Sequence, residues 1–252
     1  MGSDTHSPAA DGAASSPNAC AVAAAAPAAA ADIGPRVAYG MASAQNKRDY
    51  QEDVAHYWPK CLITVQPPGA PAGLVAALLD GHGGTDAADF AAAELQRLLV
   101  VPAGAGPPEP PSPLVEDLDA RLAGALADID ARFCAAARDR SHAGATLVLA
   151  AVHGRDLLVA NIGDSRCVLC RRVALPPGRS PRRRATEEVQ GLRLSRDHKP
   201  TDPDESARIK RAGGRVSKGR VGVGGCKMTL SVSRCLGDVL LKDAAGAALK
   251  DM

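Results

Sequence analysis

Gly73-Leu74-Val75-Ala76-Ala77-Leu78-Leu79-Asp80-Gly81-His82-Gly83-Gly84 is the stretch on which the reading of this chain turns. The apolar run Gly73 to Leu79 has Gly and Pro on one side and a glycine cluster on the other, which reads as a buried strand. Thr85 can then cap a helix whose apolar positions Ala91, Leu95, Leu98 and Leu99 fall at helical spacing. The result is strand, sharp turn and helix, with one carboxylate where the strand ends. The glycines allow a tight bend and a close ligand. Asp80, the carbonyl of Gly81 and the imidazole of His82 suit a hard metal or a phosphoryl group. A plain turn with Asp80 as its polar stop reads equally well at this point.

The 252 residues make one large domain or two small ones. A net charge of +2 and six aromatic residues offer no platform for nucleic acid. No apolar run is long enough to span a membrane. The Ala-rich start lacks a basic leader, its first arginine being Arg36, and it carries Asp4, Asp11 and Asp32. Met1-Gly2 opens like a myristoylation site, but His6 stands where Ser or Thr belongs. Seven scattered cysteines fit reduced thiols in an intracellular protein, cytoplasmic or nuclear. Cys167 and Cys170 are three apart on an expected strand, so they point to opposite faces and read as structural.

Residues 1–35 hold almost no large apolar side chains and read as disordered. The domain, 36–252, opens with an expected strand at Val37 to Ala42. Arg48 to Asp53 is polar, and Cys61 to Val65 is apolar. Glu52-Asp53 reads either as a solvated turn or as paired metal-side carboxylates, with Arg48 able to fork onto a phosphate. Residues 101–113 form a Pro/Gly loop insertion. Ser112-Pro113 opens a helix with a stripe at Leu118, Leu122, Leu126, Ile129 and Phe133. Ala145 to Val152 and Leu157 to Asn161 read as a hairpin, and Ser165 to Arg171 as the next strand. Asp164 sits at a strand end, as Asp80 does.

Residues 172–190 read as a basic loop insertion, solvated, or a nuclear-targeting or kinase-recognised patch around Arg182-Arg183-Arg184. His198 reads as structural. Asp202-Pro203-Asp204-Glu205 is a helix start with a possible capping box. Lys218 to Gly225 reads as a mobile Gly-rich loop, and the residues after Asp238 as a weak tail.

Taken in order, the motifs make a specific set. They are Arg48-Asp49-Tyr50-Gln51-Glu52-Asp53, Asp80-Gly81-His82-Gly83-Gly84, Ala143-Gly144-Ala145-Thr146, Asn161-Ile162-Gly163-Asp164-Ser165-Arg166, Ser195-Arg196-Asp197-His198-Lys199-Pro200 and Ser233-Arg234-Cys235-Leu236-Gly237-Asp238. The set resembles the metal-dependent serine/threonine protein phosphatases of type 2C, the PPM family, over about residues 36 to 240. The resemblance implies an α+β fold of four layers, αββα. Its centre is a mostly antiparallel β-sandwich with helices on both faces. It implies two Mg²⁺ or Mn²⁺ ions at one end of that sandwich, phosphorylated proteins as substrates, and a monomer.

Carried over, Asp80 would bridge the ions and Gly81 would lend its carbonyl. Glu52 would serve the second ion directly or through water, and Asp53 would orient a water there. Asp164 would match the aspartate that helps hold a third, weaker ion, and Asp238 would play a supporting part. Arg48 would hold the substrate phosphate, and His82 would protonate the leaving oxygen. Oxygen donors match hard cations and leave the cysteines without a role.

Such enzymes continue past the Ser-Arg-x-x-Gly-Asp segment to two further metal-binding aspartates. Here Asp243 is followed by Ala244-Ala245-Gly246 and Asp251 by Met252, so neither matches. The expectation is a domain truncated at its C-terminus, with the last strands missing. Two functions follow: phosphoserine and phosphothreonine hydrolysis, or a catalytically impaired fragment or pseudophosphatase that binds phosphoproteins.

Overall fold

The computed structural model describes residues 38–61, 73–99, 116–137, 142–153, 156–174 and 187–244. In chain order the first elements are β1 (Asp53–Cys61), β2 (Gly73–His82), α1 (Asp86–Leu99), α2 (Glu116–Ala136), β3 (Gly144–Ala145), β4 (Leu147–His153) and β5 (Asp156–Ile162). They continue with β6 (Val168–Ala174), β7 (Glu187–Arg193), α3 (Pro203–Arg211), β8 (Arg215–Ser217) and β9 (Arg220–Gly222). The last are β10 (Thr229–Leu230), β11 (Leu236–Gly237) and α4 (Val239–Ala244).

A six-stranded antiparallel sheet runs β11-β3-β2-β4-β5, with β1 on the other side of β2. Strand alternation assigns its two faces. Val75, Ala77, Leu79, Leu149 and Ala151 point one way and are buried with Ala88, Ala91 and Leu95 of α1 and Leu122, Leu126, Ile129 and Phe133 of α2. From Leu122 to Phe133 the helical stripe read from the sequence is thus the face that meets the sheet, while the side chain of Leu118 lies outside the described residues. The Phe90 and Phe133 rings join the two helices, 5.5 Å apart and tilted. The opposite face carries Tyr57, Leu78 and Leu157, which stay exposed. The same face holds Asp53 and Asp80 at its end, directly opposite each other across β1 and β2.

The remaining strands form a three-stranded sheet, β10-β9-β8, and a two-stranded ribbon, β6-β7. Antiparallel sheets flanked by helices in a mixed α+β fold agree with the expected class.

Several expectations need correction. Residues 38–42 form no strand: among the described residues no strand pairs with them, and they lie exposed. Asp53 to Cys61, read as polar residues leading to a later apolar stretch, is instead β1. The strand after Asp164 begins at Val168, because the Cys167 N–H is taken by Ser195 Oγ at 2.9 Å. Residues 172–174 and 187–190 are not loop but parts of the β6–β7 ribbon. Lys218 to Gly225 begins as a hairpin, with Lys218 and Gly219 at φ +48° and +71°, the signs a tight two-residue turn requires. The segment after Asp238 enters α4, where Val239, Leu241 and Lys242 are buried.

Asp202 caps α3 as expected, accepting from the Asp204 N–H at 3.0 Å. Glu205 completes no capping box; its carboxylate turns to Arg234 and Arg208. The expected disordered start, residues 1–35, and the 101–113 loop lie outside the described residues.

Candidate active site

Antiparallel pairing builds the site. Residues directly opposite on neighbouring strands have Cβ atoms about 4.5–5.5 Å apart. The register Asp53↔Asp80 therefore sets two carboxylates side by side. One step further, the Gly81 N–H donates to the Glu52 carbonyl at 3.2 Å. Arg48 stands on the irregular segment leading into β1. It lines one cavity of about 660 Å³ together with Tyr50, Glu52, Asp53, Asp80 and Gly81. Among the described residues its guanidinium makes no ion pair.

The electrostatics follow from that crowding. Partial burial, then the negative charges of Asp53 and Asp164, push the Asp80 carboxyl up against the pull of His82 and Arg48. Asp80 has surface open to solvent, so its desolvation comes from close neighbours, not from enclosure. Thr146 holds the strand at this point: its N–H donates to the Asp80 carbonyl at 2.9 Å, and its hydroxyl lies 2.6 Å from Ser165 Oγ.

His82 follows Asp80 by two residues and so stands on the same face of β2. Its Nε2 lies 2.8 Å from Asp238 Oδ2, and Asp238 is fully buried. Burial pulls the imidazole down, but the hydrogen bond and charge of Asp238, then Asp80 and Glu52, outweigh it, and the net direction is up. His198 makes structural contacts, its Nδ1 accepting the Gly163 N–H at 3.1 Å.

Asp80, Asp53, Glu52, Gly81 and Arg48 thus meet around one cavity. Asp164 is near enough to act on Asp80, and His82 stands beside it. Two carboxylates are turned to protein partners. Glu52 Oε1 accepts from the Gly84 N–H at 2.7 Å, and Asp164 pairs with the ammonium of Lys199. Among the described residues no three His, Cys, Asp or Glu side chains converge as a metal cage.

The donors still fit a hard divalent cation held largely through water: they are all oxygens, and their mutual repulsion is what a cation would relieve. Sequence reasoning gave Asp238 only a supporting part and missed its bond to His82. It also missed Lys199 on Asp164. The only sequence signal for either was a charged residue beside a motif.

Comparison with known proteins places the chain. The Protein phosphatase 2C family profile matches residues 37–248. The chain is similar to the probable protein phosphatase 2C 59 of Arabidopsis thaliana, 34% identical over 209 residues, covering 82% of this chain and 56% of that protein. It is similarly related to the probable protein phosphatase 1N of Homo sapiens, 34% identical over 209 residues, covering 82% of this chain and 41% of that protein. Among solved structures, serine-threonine phosphatase 2C from Toxoplasma gondii shares the fold. Its TM-score is 0.53 at 23% identity, over 79% of this chain and 66% of that one.

The chain belongs to the protein phosphatase 2C family of serine/threonine phosphatases. It spans about half the length of the curated relatives it matches. No described helix is long and apolar enough to cross a membrane.

Proposed function

We propose that this chain hydrolyses phosphoserine and phosphothreonine in proteins with the help of Mg²⁺ or Mn²⁺. The observation that carries the reading is the pairing of Asp53 with Asp80 in one cavity with Arg48, an arginine that makes no ion pair among the described residues. Asp80, Asp53, Glu52 and the Gly81 carbonyl would hold the core cations, and Asp164 a weaker one once Lys199 moves aside. Divalent cations, when bound, supply an acidified water and screen the phosphoryl charge.

The chain's own residues do the rest. Arg48 offers a planar fork that matches two phosphate oxygens. Asp53 accepts a proton from a water near the phosphorus and orients it. His82 gives a proton to the leaving seryl or threonyl oxygen, and the neighbouring carboxylates keep that proton on the ring.

The second reading is a phosphoprotein-binding module without turnover. The observation favouring it is that Glu52 and Asp164 are engaged by Gly84 and Lys199. The test is Mn²⁺-dependent release of phosphate from a phosphothreonine peptide by this chain and by Asp80→Ala. The substitution is expected to lower the rate at least about 100-fold. Equal rates would remove the enzyme reading. Retained calorimetric binding of the peptide, without turnover, would favour the second.

A further inference from the structure

We infer that Asp238 is the positioning residue that decides which nitrogen of His82 faces the substrate, and that the missing side chain of Gly144 is what lets the two meet. The inference rests on the proposed function, in which His82 is the proton donor.

An ionised carboxylate only accepts hydrogen bonds. At 2.8 Å from Asp238 Oδ2, His82 Nε2 is therefore the nitrogen that keeps its proton. Nδ1 is left as the nitrogen available to a leaving group. During the reaction the Nδ1–H bond breaks, an O–H bond forms on the departing alkoxide, and the ring is left neutral with Nε2–H still on Asp238. Asp238 itself gains no proton.

Three observations show that this pair is built. A Cβ at Gly144 would lie 2.2 Å from Asp238 Oδ2 and 2.5 Å from His82 Nε2, so any other residue there would wedge the pair apart. Asp238 adopts φ +53°, a conformation that most residues avoid. Its N–H donates to the Ala143 carbonyl at 2.9 Å, and its own carbonyl accepts from Leu241 at 2.9 Å. A second layer then locks the strand before it. Lys242, 4% exposed, places its ammonium 2.7 Å from both oxygens of Asp130 on α2 and 3.1 Å from the Cys235 carbonyl. Asp130 also accepts the Gly237 N–H at 2.8 Å. The helix that fills the core thus also aims the acid. Among the described residues Asp238 Oδ1 is buried with no nitrogen or oxygen partner, beside the buried Cys235 thiol.

The test compares two substrates and one spectrum. Asp238→Asn suits the backbone, because asparagine tolerates positive φ; Gly144→Ala breaks the pair from the other side. Folding of each variant is checked by circular dichroism. On a phosphothreonine peptide, whose alkoxide needs a proton, both variants should lose roughly 10²–10⁴-fold in kcat with KM little changed. On p-nitrophenyl phosphate, whose leaving group needs none, they should stay near the parent. Nitrogen NMR of the His82 ring at one alkaline pH should show Nε2–H in the parent and a shift toward Nδ1–H in Asp238→Asn.

A parallel loss on both substrates by a folded variant, or an unchanged ring tautomer, would overturn the inference. Should the parent hydrolyse neither substrate, the proposed function fails and the tautomer alone decides on Asp238.

Discussion

Asp53 and Asp80 form a pair that ordinary folding would avoid. Like charges directly opposite on a sheet destabilise it by roughly 0.2–1 kcal/mol; partial burial first, and then the charge of Asp53, push the Asp80 carboxyl up. Asp53→Asn should therefore stabilise the protein by about that amount in chelator, measured by urea unfolding. It should also shrink the extra stability gained on adding Mn²⁺. A substitution that destabilised the chelated protein would contradict the account. Asp80, Gly81 and His82 were legible in the sequence because they are neighbours in one turn. The bonds from His82 to Asp238 and from Asp164 to Lys199 join positions 156 and 35 residues apart, and no local pattern encodes such distances.

Glu205 ties α3 to the segment that follows β10. Its carboxylate lies 2.7 Å from Arg234 and 2.9 Å from Arg208. Burial pushes this carboxyl up, but the two arginines and Ser233 outweigh it and hold it at about 2. The unfolded chain binds that proton near pH 4.5. Stability from the pairing is therefore whole above pH 4.5 and is lost as the pH falls from there toward 2. The shift corresponds to at most about 3 kcal/mol. Glu205→Gln should flatten the dependence of unfolding free energy on pH in that window; an unchanged slope would count against the assignment.

Helices α1 and α2 were readable because one face of each is apolar and meets the sheet. The β6–β7 ribbon was not. Its strands are exposed on both sides, so no alternation of apolar and polar residues marks them. β1 was missed because its start is acidic, a composition that local reasoning gives to turns.

Across the molecule, the described helices α1 and α2 cover one face of the large sheet. The other carries Tyr57, Leu78 and Leu157, between 37% and 42% exposed. Residues 39–41 and 166–167 lie along part of it, around a cavity of about 250 Å³ lined by Ala55, Leu78 and Val148. An apolar surface of this kind binds hydrophobic dyes. Leu78→Lys should lower fluorescence of an anilinonaphthalene dye and leave the far-ultraviolet spectrum unchanged. Undiminished dye binding would place the apolar surface elsewhere.

The tether between Lys242 and Asp130 also has a consequence in time. A chain grows from its N-terminus at about 5–20 residues per second. His82 is thus made roughly 8–30 s before the aspartate 156 positions later that orients it. Under the proposed function, proton donation by His82 would therefore date from that late pairing with Asp238 and not from the turn that carries the ring.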